Sequence, residues 1–228
     1  MTRQRARSLA AGALVLLTGC NAPDYTPVRD WARAGSLVAD HPGATRAVAA
    51  LPPDAAPAEV RDGIVAMQAA LSLHLAALGR MADDGVLQYP EDPFTDLAAR
   101  AAGADAAGGE AVAGLGRFLR YATRGNLRAP QLRDSIRATD PLVQELARAL
   151  VASIRREATA MPGEAGPLEA YAAVVAQIGE GHALLKARAS DITDEEVVQL
   201  IRAEEDRLRR AARALPYPAA APAPAAAR

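Results

Sequence analysis

Residues 57–81 read PAEVRDGIVAMQAALSLHLAALGRM, and within them Val60, Ile64, Met67, Leu71, Leu75 and Leu78 follow one another at spacings of 4, 3, 4, 4 and 3. That is the helical repeat held for about five turns, far longer than a strand sustains any pattern. The stretch is bounded on both sides. Leu51-Pro52-Pro53-Asp54-Ala55-Ala56-Pro57 is stiff and turn-forming, which places the start of the main helical unit after it. Asp83-Asp84-Gly85 stops the helix near Met81.

Downstream, the same grammar repeats. Tyr89-Pro90-Glu91-Asp92-Pro93 opens a helix to about Ala102, with Asp92 as N-cap and Pro93 at the first helical position. A loop is expected over Gly103 to Gly109, then a helix carrying Val112, Leu115, Leu119 and Ala122, with Gly114 and Gly116 permitting a close helix approach. After Gly125-Asn126, Ala129-Pro130 starts a short helix to Ala138. Thr139-Asp140-Pro141 starts another to about Ala160 with the face Val143, Leu146, Leu150 and Ile154. Met161-Pro162-Gly163 breaks the chain again. A helix from about Pro167 to Arg188 carries Leu168, Tyr171, Val175, Ile178, His182 and Leu185 on one face. The last helix opens at Thr193-Asp194-Glu195-Glu196, a capping box of Thr193 with Glu196, and runs to about Ala214. The tail from Pro216 to Arg228 alternates Pro with Ala, a pattern expected to be disordered or a semi-rigid spacer.

Upstream, Thr26-Pro27 reads as a cap-plus-proline start for a short helix from Val28 to about Ala39, ended by Asp40-His41-Pro42-Gly43. A lone helix of that length is marginal in water, so its one tryptophan, Trp31, is expected to pack against the bundle. No segment alternates as a strand does. With 50% hydrophobic but only 4% aromatic residues, the core has to be built from Leu, Val, Ile and Ala, which suits close-packed helices. The expected fold is an all-α antiparallel bundle of about six to seven helices.

The N-terminus carries an address. Arg3, Arg5 and Arg7 precede an apolar run from Leu9 to Leu17, and Thr18 and Gly19 then lead into Cys20, the only cysteine. Charged n-region, short h-region and small-residue cleavage site are the order of a secretory signal peptide, and the run falls well short of the ~20 apolar residues of a spanning helix. Leu17-Thr18-Gly19-Cys20 resembles the lipobox of bacterial lipoproteins. The resemblance covers the first 20 residues alone. It implies that residues 1–19 are removed and that Cys20 becomes an N-terminus bearing a thioether-linked diacylglycerol, often with a third chain. Two or three chains make a stable anchor where one is marginal. Arg3-Gln4-Arg5 is no twin arginine, which points to the general export route. Asn21, standing where an aspartate would signal inner-membrane retention, favours the outer membrane facing the periplasm in a Gram-negative host. On this reading residues 20–57 are a lipid-anchored leader with a short helix, residues 58–215 the bundle domain and residues 216–228 the tail.

Charge and motifs narrow the function. The chain has a formal charge of −1, which loss of the three N-terminal arginines makes more acidic, so nothing supports nucleic-acid binding. Of its 26 basic residues, only Lys186 is lysine. No G-x-S-x-G elbow, P-loop, H-E-x-x-H pair or Glu-x-x-His motif occurs, and no cofactor is implied beyond covalent lipid on Cys20. Two constellations remain. His74, His182 and Glu204 each fall on an apolar stripe, Glu204 among Val197, Ile201, Leu208, Ala211 and Leu215. If they met, they could ligate a metal, or a histidine–carboxylate pair could act as a pH-sensitive latch; if not, each is satisfied locally, at a bundle edge or through its stem. The second is a basic run, Arg117, Arg120, Arg124, Arg128, Arg133 and Arg137. Its first three members lie on one helical side, suited to an anionic partner or merely complementing a helix C-terminus. The resulting expectation is a non-enzymatic, lipid-anchored envelope protein that binds an envelope protein or cell-wall component, with Arg117, Arg120 and Arg124 as the contact. The alternative is a small-ligand or metal-binding bundle using His74 and His182.

Overall fold

The computed structural model describes residues 23–49, 51, 56–160 and 165–215. Signal peptide, Cys20, Asn21, the Pro52-Pro53 breaker, Met161-Pro162-Gly163 and the Pro/Ala tail lie outside them. The fold is all-α, and among the described residues no strand occurs. Among the described residues eight α-helices follow in order: α1 Thr26–Ala39, α2 Pro42–Ala49, α3 Ala58–Ala82, α4 Thr95–Ala104, α5 Ala106–Arg124, α6 Leu132–Ala160, α7 Ala165–Ala187 and α8 Glu195–Ala214.

Helix α3 is the centre. It packs against α1, α4, α5 and α6, and Ile64, Met67, Leu71, Leu75 and Leu78 of its stripe are buried while Val60 is half-buried. It is also the one described helix long and apolar enough to cross a bilayer, but 67% of its most apolar window is buried inside the bundle, which marks it as a core helix. The α1–α3 and α6–α7 pairs run antiparallel. Arg29 and Ser36 of α1 meet Asp83 and Ser72 at the far and middle parts of α3. Between α6 and α7 the order reverses in the same way, from Arg155 with Glu169 to Asp140 with Lys186. Helix α8 lies along α1 and α7 with Val197, Ile201 and Leu208 buried.

Several expected boundaries shift, each for a physical reason. Thr26 is helical, and its backbone N–H donates to Asp24 Oδ1 at 2.9 Å, so Asp24 supplies the terminus with its acceptor. Asp40-His41-Pro42-Gly43 ends α1 but also starts α2, because Pro42 is tolerated in a first turn and Gly43 N–H donates to His41 Nδ1. The loop expected over Gly103 to Gly109 shrinks to Asp105, whose carboxylate accepts from Gly108 N–H at 2.8 Å and caps α5. Asp92 accepts from Phe94 N–H, but the helix begins two residues later than expected, at Thr95.

The break expected at Thr139-Asp140-Pro141 is absent. Helix α6 runs through Pro141, with Thr139 hydroxyl turned back onto the Ser135 carbonyl at 2.8 Å. An interior proline disfavours a helix by ~3 kcal/mol. Burial of Ile136, Val143, Leu146, Leu150 and Ile154 on one continuous face outweighs that. The capping box at α8 does not form either: Asp194 is the N-cap without a side-chain bond, and Thr193 Oγ1 accepts from Arg133 instead. Gly114 and Gly116 do mark close approaches, since a Cβ there would meet the Leu142 side chain and the Asp92–Phe94 segment respectively.

Candidate functional site

Two places collect unusual chemistry, one inside the bundle and one on its surface. Inside, α1, α3, α6 and α7 converge on a polar knot. Tertiary packing of the stripes brings His74 on α3 and His182 on α7 together, with ring centroids 6.0 Å apart, and the Trp31 ring of α1 lies 6.3 Å from that of His182. All three side chains are buried. Gly181 makes room for the indole, because a Cβ at that position would come within 2.7 Å of Trp31 Nε1.

The carboxylate of the knot is Asp140. His182 Nδ1–H donates to Asp140 Oδ1 at 3.1 Å, Gln144 Nε2 donates to the same oxygen at 3.0 Å, and Lys186 Nζ sits 2.9 Å from Oδ2. Gln144 also donates to the Gly179 carbonyl, tying α6 to α7. The His182 hydrogen bond, helped by Lys186 and Gln144, holds the Asp140 carboxyl well below the usual carboxylate range against the opposing push of burial. The sole lysine of the chain is therefore spent on a buried carboxylate. Its half-exposed stem gives the knot its link to solvent.

His74 has no carboxylate. Burial, and secondly the neighbouring His182, push its imidazole down to about 3, so it is neutral in the folded protein. Neither of its ring nitrogens has a hydrogen-bond partner among the described residues, and the same is true of His182 Nε2. Glu204 does not join the pair. It sits half-buried on the packed face of α8, as its stripe position implies, and bonds with Arg207 at 3.1 Å. Among the described residues, no three His, Cys, Asp or Glu side chains are grouped to hold a metal ion.

The surface feature is the arginine row of α5. Arg117, Arg120 and Arg124 are exposed along one side of the helix, with Tyr121 between them at 64% exposure. None of the three has a carboxylate partner among the described residues. The rest of the basic run is used internally: Arg128 bonds with Asn126 and the Asp84 carbonyl, Arg133 with Thr193, and Arg137 with Asp134 and Ser190. Within the run, Arg117, Arg120 and Arg124 are the members with no side-chain hydrogen bond or ion pair among the described residues. Sequence spacing names neither Asp140 as the partner of His182 nor Gln144 and Lys186 as the other partners of that carboxylate. The available signal was the i, i+4 pairing of His182 with Lys186, which puts a cation beside the histidine and calls for a carboxylate opposite.

No protein-family model, curated protein or solved structure matches the chain.

Proposed function

We propose that this chain is a lipid-anchored protein of the bacterial cell envelope, facing the periplasm and seated on the outer membrane of a Gram-negative host. In this reading its helical domain works as a binding or accessory subunit. The anchor is acylated Cys20, and the contact is made with an anionic envelope component. The observation that carries the binding half is the exposed row Arg117, Arg120 and Arg124, whose charges are not consumed by the fold. Guanidinium groups beside an exposed aromatic ring suit planar carboxylate or phosphate acceptors.

In cells, Cys20→Ala is expected to stop palmitate labelling and leave the precursor uncleaved; normal labelling of that variant would reject the anchor. Reversal of Arg117, Arg120 and Arg124 to Glu is expected to leave labelling intact while removing salt-sensitive cross-links to envelope components. Wild-type cross-linking after the reversal would reject the contact. A second reading, a small-ligand or metal-binding bundle, draws on the 6.0 Å approach of His74 and His182. It requires tight divalent-metal binding by titration calorimetry that disappears in His74→Ala and His182→Ala.

A further inference from the structure

The arginine row and the start of the described chain share one end of the bundle. Pro23, Asp24, Tyr25 and Thr26 line a single cleft with Asp83 and Asp84 at the end of α3 and with Ala129 and Pro130 before α6. Arg128 reaches from the same side to the Asp84 carbonyl at 3.4 Å, and only Gly125 to Leu127 separate it from Arg124, the last residue of α5. Just three residue steps separate Cys20 from Pro23, a length of chain that spans at most about 10 Å from this cleft. From Arg124 the row rises along α5 for about 10 Å to Arg117. The Debye length is about 8 Å at physiological salt, so the row senses an anionic plane when α5 lies along it, an approach that a tether this short keeps within reach.

At that end the start of α8 carries acidic residues. Arg133 and Arg137 tie the start of α6 to Thr193 and Ser190. The exposed Asp191, Asp194, Glu195 and Glu196 therefore belong to this end as well. Near the cleft, Asp83 is neutralised by Arg29 and Arg33 at 3.1 and 2.7 Å. A tether alone leaves the domain free to turn. An anionic plane breaks that freedom, attracting the α5 flank and repelling the start of α8.

We propose that Arg117, Arg120 and Arg124 rest on anionic phospholipid headgroups of the bilayer that holds the Cys20 anchor, and so fix which flank of the domain faces the membrane. This rests on the reading of Cys20 as the lipidated residue. Each guanidinium binds a phosphate oxygen by charge-assisted hydrogen bonds, and Tyr121 lies at headgroup level where amphipathic rings are favoured.

The test uses the chain from Cys20 onward, which keeps every described residue, coupled through the Cys20 thiol to a maleimide lipid in vesicles. Tyr121→Trp supplies the probe, read against the unsubstituted chain with Trp31 alone, and lipids brominated near the headgroup end of their chains supply the quencher. Stronger quenching of the new indole is expected in phosphatidylcholine vesicles containing phosphatidylglycerol than in phosphatidylcholine alone, and it fades as salt is raised. Reversing Arg117, Arg120 and Arg124 to Glu is expected to lower surface occupancy by about a hundredfold with helicity unchanged. The same reversal of the exposed Arg156, Arg210 and Arg213, at the far ends of α6 and α8, has much less effect. Quenching that is equal in the two vesicle types overturns the proposal, even if the triple reversal fails to fold, as does a control reversal that acts as strongly as the first. Cross-linking of the α5 flank to an acidic protein, with no phosphatidylglycerol response, also overturns it and assigns the surface to that protein. Chemical coupling bypasses biological acylation, so palmitate labelling of Cys20 in cells judges the anchor separately.

Discussion

His74 shows how a single residue couples the core to pH. The unfolded chain protonates this imidazole near its ordinary value of about 6.5, whereas the folded protein resists protonation until about 3. The stabilisation from holding it neutral is thus complete above pH ~6.5 and is lost progressively as pH falls below it, at about 1.4 kcal/mol per pH unit. Between pH 7.5 and 5 this amounts to about 2 kcal/mol, with His41, also held low by burial, acting in the same sense. Urea denaturation at those two pH values is expected to show that loss in the wild type and to show most of it gone in His74→Leu. An undiminished loss in the variant would assign the effect elsewhere. Asp140 answers on a different scale. Its depressed carboxyl contributes stability above the unfolded value of about 3.9 and loses it only at stronger acid, so near neutrality it is removed by mutation. Asp140→Ala leaves His182 and Lys186 without their carboxylate and is expected to cost about 3 kcal/mol or more in chemical denaturation; under ~1 kcal/mol would mean the knot is not a working ion pair. The histidines were legible in the sequence because each sits in step with an apolar stripe. Asp140 was not, because Thr139-Asp140-Pro141 reads as the start of a helix, and local grammar hides a side chain whose partner is 42 residues away.

Among the elements, what the sequence disclosed was periodicity, and what it concealed was junctions. The stripes of α3, α5, α6 and α7 bury the residues their spacing named, save Val60 at the start of α3, which is half-buried. Three of the differences fall where Pro and Gly read as stops, at Pro42-Gly43, at the α4–α5 junction and at Pro141. In each place small residues or a long apolar face reward a continuing or restarted helix, and tertiary burial exceeds the local preference. Glycine itself divides into two kinds in α7. Gly181 faces Trp31 with no room for a methyl, so Gly181→Ala is expected to destabilise by about 1–3 kcal/mol through displacement of the indole. At Gly166 an added methyl would meet nothing within 4 Å among the described residues, and the residue lies in the first turn, so Gly166→Ala is expected to stabilise by up to ~1 kcal/mol. Opposite signs in thermal denaturation would confirm that helix packing rather than helix propensity sets the identity of residue 181; two stabilising outcomes would refute it.

At the scale of the whole molecule, the question is whether the segment before residue 57 is a leader or part of the fold. Sequence punctuation divides the chain at Pro52-Pro53, yet the described contacts cross that division. Trp31 of α1 is fully buried beside His182 of α7, Tyr171 donates its hydroxyl to the Ala39 carbonyl, and the Ser72 hydroxyl of α3 donates to the Ser36 carbonyl. Leu37 alone on α1 remains as a large exposed apolar side chain at 76%. An aromatic residue buried this completely contributes on the order of 3–5 kcal/mol, a large share of the total stability of an ordinary domain. Removing α1 would also uncover Leu75 and Gly79 along the face of α3. The fold therefore requires α1 and α3 to melt together. Trp31 emission is expected to be that of a buried indole and to shift to longer wavelength in the same denaturant range in which helical circular dichroism is lost. Coincident midpoints make residues 26–215 one cooperative unit. A tryptophan transition that precedes the loss of helix would return α1 to the role of a separable leader, docked on the bundle rather than built into it.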